Sequence, residues 1–336
     1  MVKDTSAVVM FKSVKNKKSD FLFKNLDTKN GEIFFLAWTT TPWTLPSNLG
    51  LTVGPNIKYV LVSTFNPYTH LPVNVVLAKD LVANYFKAEG ENGDFSLFKD
   101  GDKIIPWKVL HEFKGAQLEE IKYEQLLPYE ANSPDKAGGN PFRVLLGDFV
   151  TTEDGTGIVH TAPAFGADDY KVGKKYDIGI LTMVDRQGKF VEGLGEFSNR
   201  YVKNYTDDKN YEDVNVDISV KLKKENRAFK IEKYEHNYPH CWRTDKPVLY
   251  YPLDAWFIRT TAVKEKMVAL NETINWKPKS TGEGRFGNWL ENMVDWNLSR
   301  SRFWGTPLPV WRTEDASEEK CIGSIRELNE EIFKAN

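Results

Sequence analysis

Cysteine is scarce in this chain: there are 2 in 336 residues, Cys241 and Cys321, far apart. Such a pair builds no disulfide framework, and a reducing compartment is expected. Long hydrophobic runs are missing too; none approaches the roughly 20 residues a membrane helix needs, so no membrane partner is expected. Charge of one sign is also lacking, with 45 Lys and Arg against 47 Asp and Glu for a net charge of −2. That excludes a protein that grips nucleic acid by bulk charge; an RNA contact would need a local basic patch. Neither a signal-peptide nor a transit-peptide pattern opens the chain, and a cytoplasmic location is expected. There is no internal repeat, no low-complexity tract and no Gly-x-Ser-x-Gly elbow. No Ser-His-Asp arrangement is visible either, which turns attention away from an acyl-enzyme.

What is present is core material: 41% apolar residues, with 10 Trp and 20 Phe, enough for one large domain or two. Alternation around Ala7, Val9 and Phe11 predicts a strand over 2–14, a segment that reads as cut from a larger protein. Phe21 to Phe23 and Glu32 to Trp38 read as strands joined by an Asn30-Gly31 turn. Leu51 to Val53 and Tyr59 to Phe65 extend the sheet. Val76, Leu77, Leu81, Val82, Tyr85 and Phe86 fall at helical spacing and predict a helix over 75–88. Residues 103–113 and 142–150 are strand-like, and 167–176 predicts a helix with Asp168 and Asp169 in its first turn. A hairpin through Gln187-Gly188 and a helix over 207–226, with Val214, Ile218, Val220 and Leu222 inward, follow. Near 230 the texture shifts towards short strands and a Trp- and Arg-rich segment over 289–311.

One stretch stands out: Trp38-Thr39-Thr40-Thr41-Pro42-Trp43-Thr44-Leu45-Pro46-Ser47-Asn48. Three hydroxyls in a row sit between two indoles at the end of a strand. Pro42 holds Thr41 extended and turns the backbone out of the strand. A small polar site in a dry wall is one reading; a strand edge with Thr–Thr cross-strand pairs is the other. A second stretch answers it, Gly155-Thr156-Gly157-Ile158-Val159-His160-Thr161-Ala162-Pro163-Ala164-Phe165-Gly166-Ala167-Asp168-Asp169-Tyr170. Its glycines allow backbone to approach a ligand closely. Asp169 also reads as an acid serving a helix N-terminus.

Together the two stretches resemble the editing domain of isoleucyl-tRNA synthetases. The related valyl and leucyl enzymes carry Arg-Pro after their Thr-rich strand and lack a His at the place of His160. Pro239-His240-Cys241-Trp242-Arg243 and Trp296 to Pro307 fit the same family, so the likeness covers most of the chain. It implies an α+β fold: a mainly β, barrel-like editing domain over 1–230, inserted in a class I nucleotide-binding fold. Residues 231–336 would be its stalk and partial return to the catalytic domain, a mixed α/β extension. The family's His-x-Gly-His and Lys-Met-Ser-Lys-Ser signatures are not in this sequence, whose five His stand at 70, 111, 160, 236 and 240. ATP and magnesium therefore belong to the full-length ligase, and editing is expected to need no cofactor. No metal is expected at Cys241: Thr244 stands where some relatives have a second Cys, and His236 and His240 leave the set short of four ligands.

The resemblance also implies a chemistry. A synthetic pocket that selects isoleucine over valine has one methylene to work with, about 1–3 kcal/mol, a value for which isoleucyl enzymes are themselves the standing example. A smaller second cavity then admits valine, excludes isoleucine and hydrolyses the mistaken product. The implied partners are the acceptor end of tRNA(Ile), the valine moiety of mischarged tRNA or adenylate, and the rest of the synthetase. Asp169 would bind the free α-ammonium. Thr39, Thr40 and Thr41 would hold the ester and terminal ribose and position water, with Thr39, Thr41 and Asp169 as the catalytic set. Thr44 and Asn48 would touch the terminal adenosine, and Trp43 would give apolar surface or stacking. His160, with Ala162 and Phe165, would line the side-chain pocket; a general-base role for His160 stays open beside that of a wall. A non-catalytic module that merely holds the acceptor end is the alternative function.

Overall fold

The computed structural model describes residues 1–24, 26, 32–206, 208–300 and 305–335. Two compact units emerge, Met1–Pro252 and Leu253–Asn336. The first is mainly β. Its strands are β1 (Val2–Lys12), β2 (Ile33–Thr39), β3 (Gly50–Val53), β4 (Lys58–Phe65), β5 (Pro72–Ala78), β6 (Lys108–Lys114), β7 (Arg143–Leu146), β8 (Ile158–Thr161) and β9 (Ala228–His236). Three helices accompany them: α1 (Asp20–Phe23), α2 (Ala167–Tyr176) and α3 (Val214–Lys224).

The nine strands form one sheet that branches at β2. β1 lies antiparallel along one edge of β2, Ala7 opposite Thr39 and Lys12 opposite Phe34. The other edge is shared: Ile33 to Phe35 pair parallel with β5, and Trp38 pairs parallel with Val159 of β8. From β8 the pairing continues antiparallel to β3 and parallel to β7. Lys122 then bridges to Arg143 of β7, and Tyr123 bridges to Ser13 just beyond β1. The circuit β1–β2–β8–β3–β7–(121–123)–β1 thus closes on itself as a small barrel, leaving few free edges.

Alternation sorts the side chains of these strands. Ala7, Val9 and Phe11 of β1 and Ile33, Phe35 and Ala37 of β2 enter one core, with Leu51, Tyr123 and Val144. Val8, Met10, Phe34 and Leu36 enter a second on the opposite face, where Phe86, Trp107 and Phe229 cover them. Both faces being buried, these strands are apolar at nearly every position.

That double burial explains the main departure from expectation. Residues 75–88 are not a helix: β5 ends at Ala78 and a short 3-10 turn over Lys79–Asn84 follows. A continuous apolar run buried on both faces carries no periodicity to tell strand from helix. Residues 21–23 are likewise helical rather than extended, and the Asn30-Gly31 turn lies outside the described residues. The helix expected over 207–226 begins at Val214, with Asp213 as its N-cap accepting the N–H of Asn215. Val214, Ile218 and Leu222 are inward as expected, but Val220 is exposed. The helix over 167–176 occurs as read. Compactness divides the chain after Pro252, beyond the change of texture at 230, because β9 pairs with β1 from Val2 to Val9 and belongs to the first unit.

The second unit is mixed. It holds two small two-stranded sheets, β10 (Phe257–Ile258) with β11 (Trp296–Asn297) and β12 (Val310–Arg312) with β13 (Glu319–Cys321). Its helices are α4 (Lys264–Glu272), α5 (Lys279–Thr281), α6 (Gly287–Glu291) and α7 (Ile325–Ala335). Residues 248–251, at the end of the first unit, are irregular. Arg300 donates to the carbonyls of Asn297 and Ser299, and Arg302 lies outside the described residues. Among the described residues no helix is long and apolar enough to cross a membrane.

Candidate functional site

The Thr-rich stretch begins at the end of β2. Thr39 is its last residue and buried; Thr40 and Thr41 are half-buried. At Thr41 the chain leaves the strand, and Pro42 opens a 3-10 helix over Pro42–Ser47. Proline suits that first helical position, where its missing N–H costs nothing. The turn brings the hydroxyls together. Thr41 N–H donates to Thr39 Oγ1 at 3.0 Å, and the two hydroxyl oxygens are 3.3 Å apart. Thr41 and Thr44 hydroxyls are 3.5 Å apart, and Thr44 Oγ1 donates to the carbonyl of Thr41 at 2.8 Å.

β8 supplies the second half. His160 Nε2 is 2.9 Å from Thr44 Oγ1, and its Nδ1 is 2.8 Å from Asn48 Nδ2. Donor arithmetic settles the ring. An amide nitrogen can only donate, so Nδ1 accepts and Nε2 carries the hydrogen. The Thr44 hydroxyl, already donating to Thr41, accepts it. Tyr123 fixes the amide by donating to Asn48 Oδ1 at 2.7 Å, while Asn48 Nδ2 also reaches the Gly50 carbonyl at 2.9 Å. Burial pushes the imidazole down to about 4. In this arrangement both ring nitrogens are engaged with protein partners, which favours a wall over a general base. Asn48 is buried with both amide hydrogens engaged, so its expected contact with adenosine has no free donor.

After Ala162 and Pro163 the chain turns into α2, whose N-cap is Gly166. Asp169 does not cap its own helix. Its Oδ2 folds back to accept the N–H of Ala162 at 3.0 Å. Ala162 is two residues past His160, within about 7 Å along the backbone. The carboxyl is half-buried, and burial, aided by neighbouring Asp168, raises it to about 6 against the pull of the Ala162 N–H. Asp168 faces outward and pairs with Lys171. Trp43 is buried and meets Phe165 edge to face at 4.9 Å, so the two stretches touch through rings as well as polar atoms. Among the described residues the buried indole N–H of Trp43 has no acceptor.

Two residues escaped sequence reading. Tyr123 lies 75 positions from Asn48, and Asn215 of α3 accepts the Trp43 backbone N–H from 172 positions away at 2.9 Å. Neither sits in a recognisable pattern; only tertiary structure could find them. The reverse holds for Gly157. It has φ +73°, and a Cβ there would stand 2.5 Å from Ala78 Cβ. Its carbonyl accepts from Tyr59, which is buried in the barrel core. Gly157→Ala is expected to lower stability by about 2–4 kcal/mol through left-handed strain plus overpacking, read as a lower thermal midpoint. An unchanged midpoint would show that the turn relaxes freely.

The family model of the class I tRNA synthetases (I, L, M and V) matches residues 60–336. The chain belongs to that family. Isoleucine–tRNA ligases of Cytophaga hutchinsonii and Bacteroides fragilis are 57% and 52% identical to it over 99% of its length. In both cases the match covers 31% of the relative, so the chain spans about a third of the length of the curated relatives it matches. Among solved structures, the editing domain of the P. knowlesi cytosolic leucyl-tRNA synthetase matches 69% of this chain and 97% of its own at 11% identity, with a TM-score of 0.45. A likeness that distant says nothing of residues or roles.

For a class I synthetase the metal question at Cys241 is a fair one. Its thiol is drawn down to about 7, chiefly by a hydrogen bond from Thr244. His236 Nε2 faces Asp4 at 3.3 Å, and His240 Nδ1 lies against the carbonyl of Tyr238. Among the described residues no three His, Cys, Asp or Glu side chains gather to hold a metal.

Proposed function

We propose that this chain is the proofreading module of an isoleucine–tRNA ligase and hydrolyses valyl-tRNA(Ile), with valyl-adenylate as a second substrate to test. The observation that carries this reading is one line of polar contacts, Thr39–Thr41–Thr44–His160, ending two residues from the amide that holds Asp169. Thr39 and Thr41 hold the ester and the attacking water. Thr41 is suited to this, being half-buried with long hydroxyl contacts of 3.3 and 3.5 Å that leave room for a better partner. Thr40 adds a contact to the terminal ribose. Asp169 binds the α-ammonium, and His160, Ala162, Trp43 and Phe165 bound the side-chain pocket. Aminoacyl esters are activated already, so positioning supplies the rate. Residues 1–230 are the editing domain in this reading, and 231–336 the stalk and return to a nucleotide-binding fold; tRNA(Ile) and the rest of the ligase are the partners. Editing needs neither ATP nor magnesium.

Incubation with valyl-tRNA(Ile) tests the reading: multiple turnovers support it, and retention without hydrolysis establishes the binding module instead. The pH profile sharpens the test. Ammonium binding needs the carboxylate, and Asp169 ionises at about 6. The kcat/KM for deacylation should therefore rise with pH through about 6. His160, neutral down to about 4, adds no limb above pH 5. A flat profile between pH 5 and 7 would remove Asp169 from the ammonium site.

A further inference from the structure

The hydrogen bonds around His160 all run one way. Tyr123 O–H donates to Asn48 Oδ1, Asn48 Nδ2–H to His160 Nδ1, His160 Nε2–H to Thr44 Oγ1, and Thr44 O–H to the Thr41 carbonyl. The line starts on the segment that closes the barrel and ends at the residue where β2 gives way to the short helix. Its members come from 41–48, 123 and 160, so no single element holds it. Asn48 and Tyr123 are buried, and their polar atoms are spent on protein partners.

We propose that Asn48 and Tyr123 are positioning residues rather than substrate contacts: Tyr123 orients the Asn48 amide, the amide keeps His160 in its Nε2–H form, and His160 in turn seats Thr44 and the Thr41 backbone. The carbonyls of Gly50 and Thr41, which can only accept, set the direction. Were the ring to carry its hydrogen on Nδ1, Asn48 would have to present its oxygen there, and Gly50 would lose its donor. Thr44 would then have to donate to Nε2 and give up its hydroxyl bond to the Thr41 carbonyl, which also accepts the Thr44 backbone N–H. The first reversal sets two oxygens face to face and the second gives up one hydrogen bond. The wall that sorts the side chain and the hydroxyls that hold the ester are thereby fixed by one network. The kinetic consequence rests on the editing reading; the state of the ring does not.

The test uses the full chain with 15N-labelled histidine, His160→Gln assigning the resonances. Wild-type His160 should show the Nε2–H tautomer; an Nδ1–H ring would overturn the proposal. Asn48→Asp keeps the shape but cannot donate, and should convert His160 to the Nδ1–H or doubly protonated form. An unchanged ring in that variant also overturns it. Tyr123→Phe retains both ring contacts and should keep the tautomer, with kcat for valyl-tRNA(Ile) reduced about tenfold and KM within about twofold. A raised KM at full kcat would make this side of the network a substrate contact and end the positioning account. If Asn48→Asp fails to fold, the wild-type tautomer and the Tyr123→Phe kinetics decide. A wild-type chain without deacylase activity but with the expected ring states would sink the editing function and leave the network standing.

Discussion

Asp169→Ala should reduce kcat/KM for deacylation of valyl-tRNA(Ile) by roughly 30- to 1000-fold, the loss of about 2–4 kcal/mol expected when one partner of a desolvated charge pair is removed. Asp169→Asn should be nearly as inactive, because an amide keeps the shape and the Ala162 hydrogen bond but carries no charge. Stability should move the other way. The carboxyl is raised from 3.8 to about 6 by burial, so the folded state favours its neutral form. Ionising it is a burden on the folded state that is fully present above about pH 6 and absent below about 3.8. Asp169→Asn should therefore melt no lower than wild type at pH 8, and any advantage should vanish by pH 4. That pairing separates a lost function from a lost fold. Full deacylation by either variant would take Asp169 out of the site.

His160→Ala should have two effects of different kind. The first is on folding: Thr44 loses its donor, Asn48 loses an acceptor, and a void opens behind the buried ring. Together these should cost about 2–5 kcal/mol, seen in denaturant or thermal melts. The second is on selection. Removing the ring should make room for the extra methylene of isoleucine, so that correctly charged isoleucyl-tRNA(Ile) becomes a substrate. A gain of about 10–200-fold over wild type matches what one methylene is worth, the magnitude known from isoleucyl enzymes themselves. Should the variant fold and still spare isoleucyl-tRNA, the ring is not the excluding wall. His160→Gln is the gentler companion, since its amide can keep one polar contact and limit the loss of stability.

The acid side of the pH range bears on the same residue. His160 binds its proton only near 4 when folded, against 6.5 for the free side chain. The unfolded chain holds more protons between those values, so this group makes the fold weaker as pH drops from about 6.5 to 4. Loss of activity below pH 5 therefore needs a stability control before it is assigned to Asp169.

The sequence by itself determined the two long stretches, their order, and which residue types they offer: hydroxyls after a strand, a histidine in a β segment, an aspartate opening a helix. These are local signals, written in a few consecutive residues each. It also determined α2, whose acids and turn residues mark its start, and the mainly β character of the first unit. Contacts across the chain were left to the tertiary structure. β5 could not be told from a helix, because burial on both faces erases the alternation that marks a strand. The hydrogen-bonding states of Asn48 and His160 turned on Tyr123 and on the Gly50 carbonyl, partners that complete a count no local pattern contains. A side chain's chemistry is set by its last unspent donor or acceptor, and which one remains unspent is known only when every neighbour is in place.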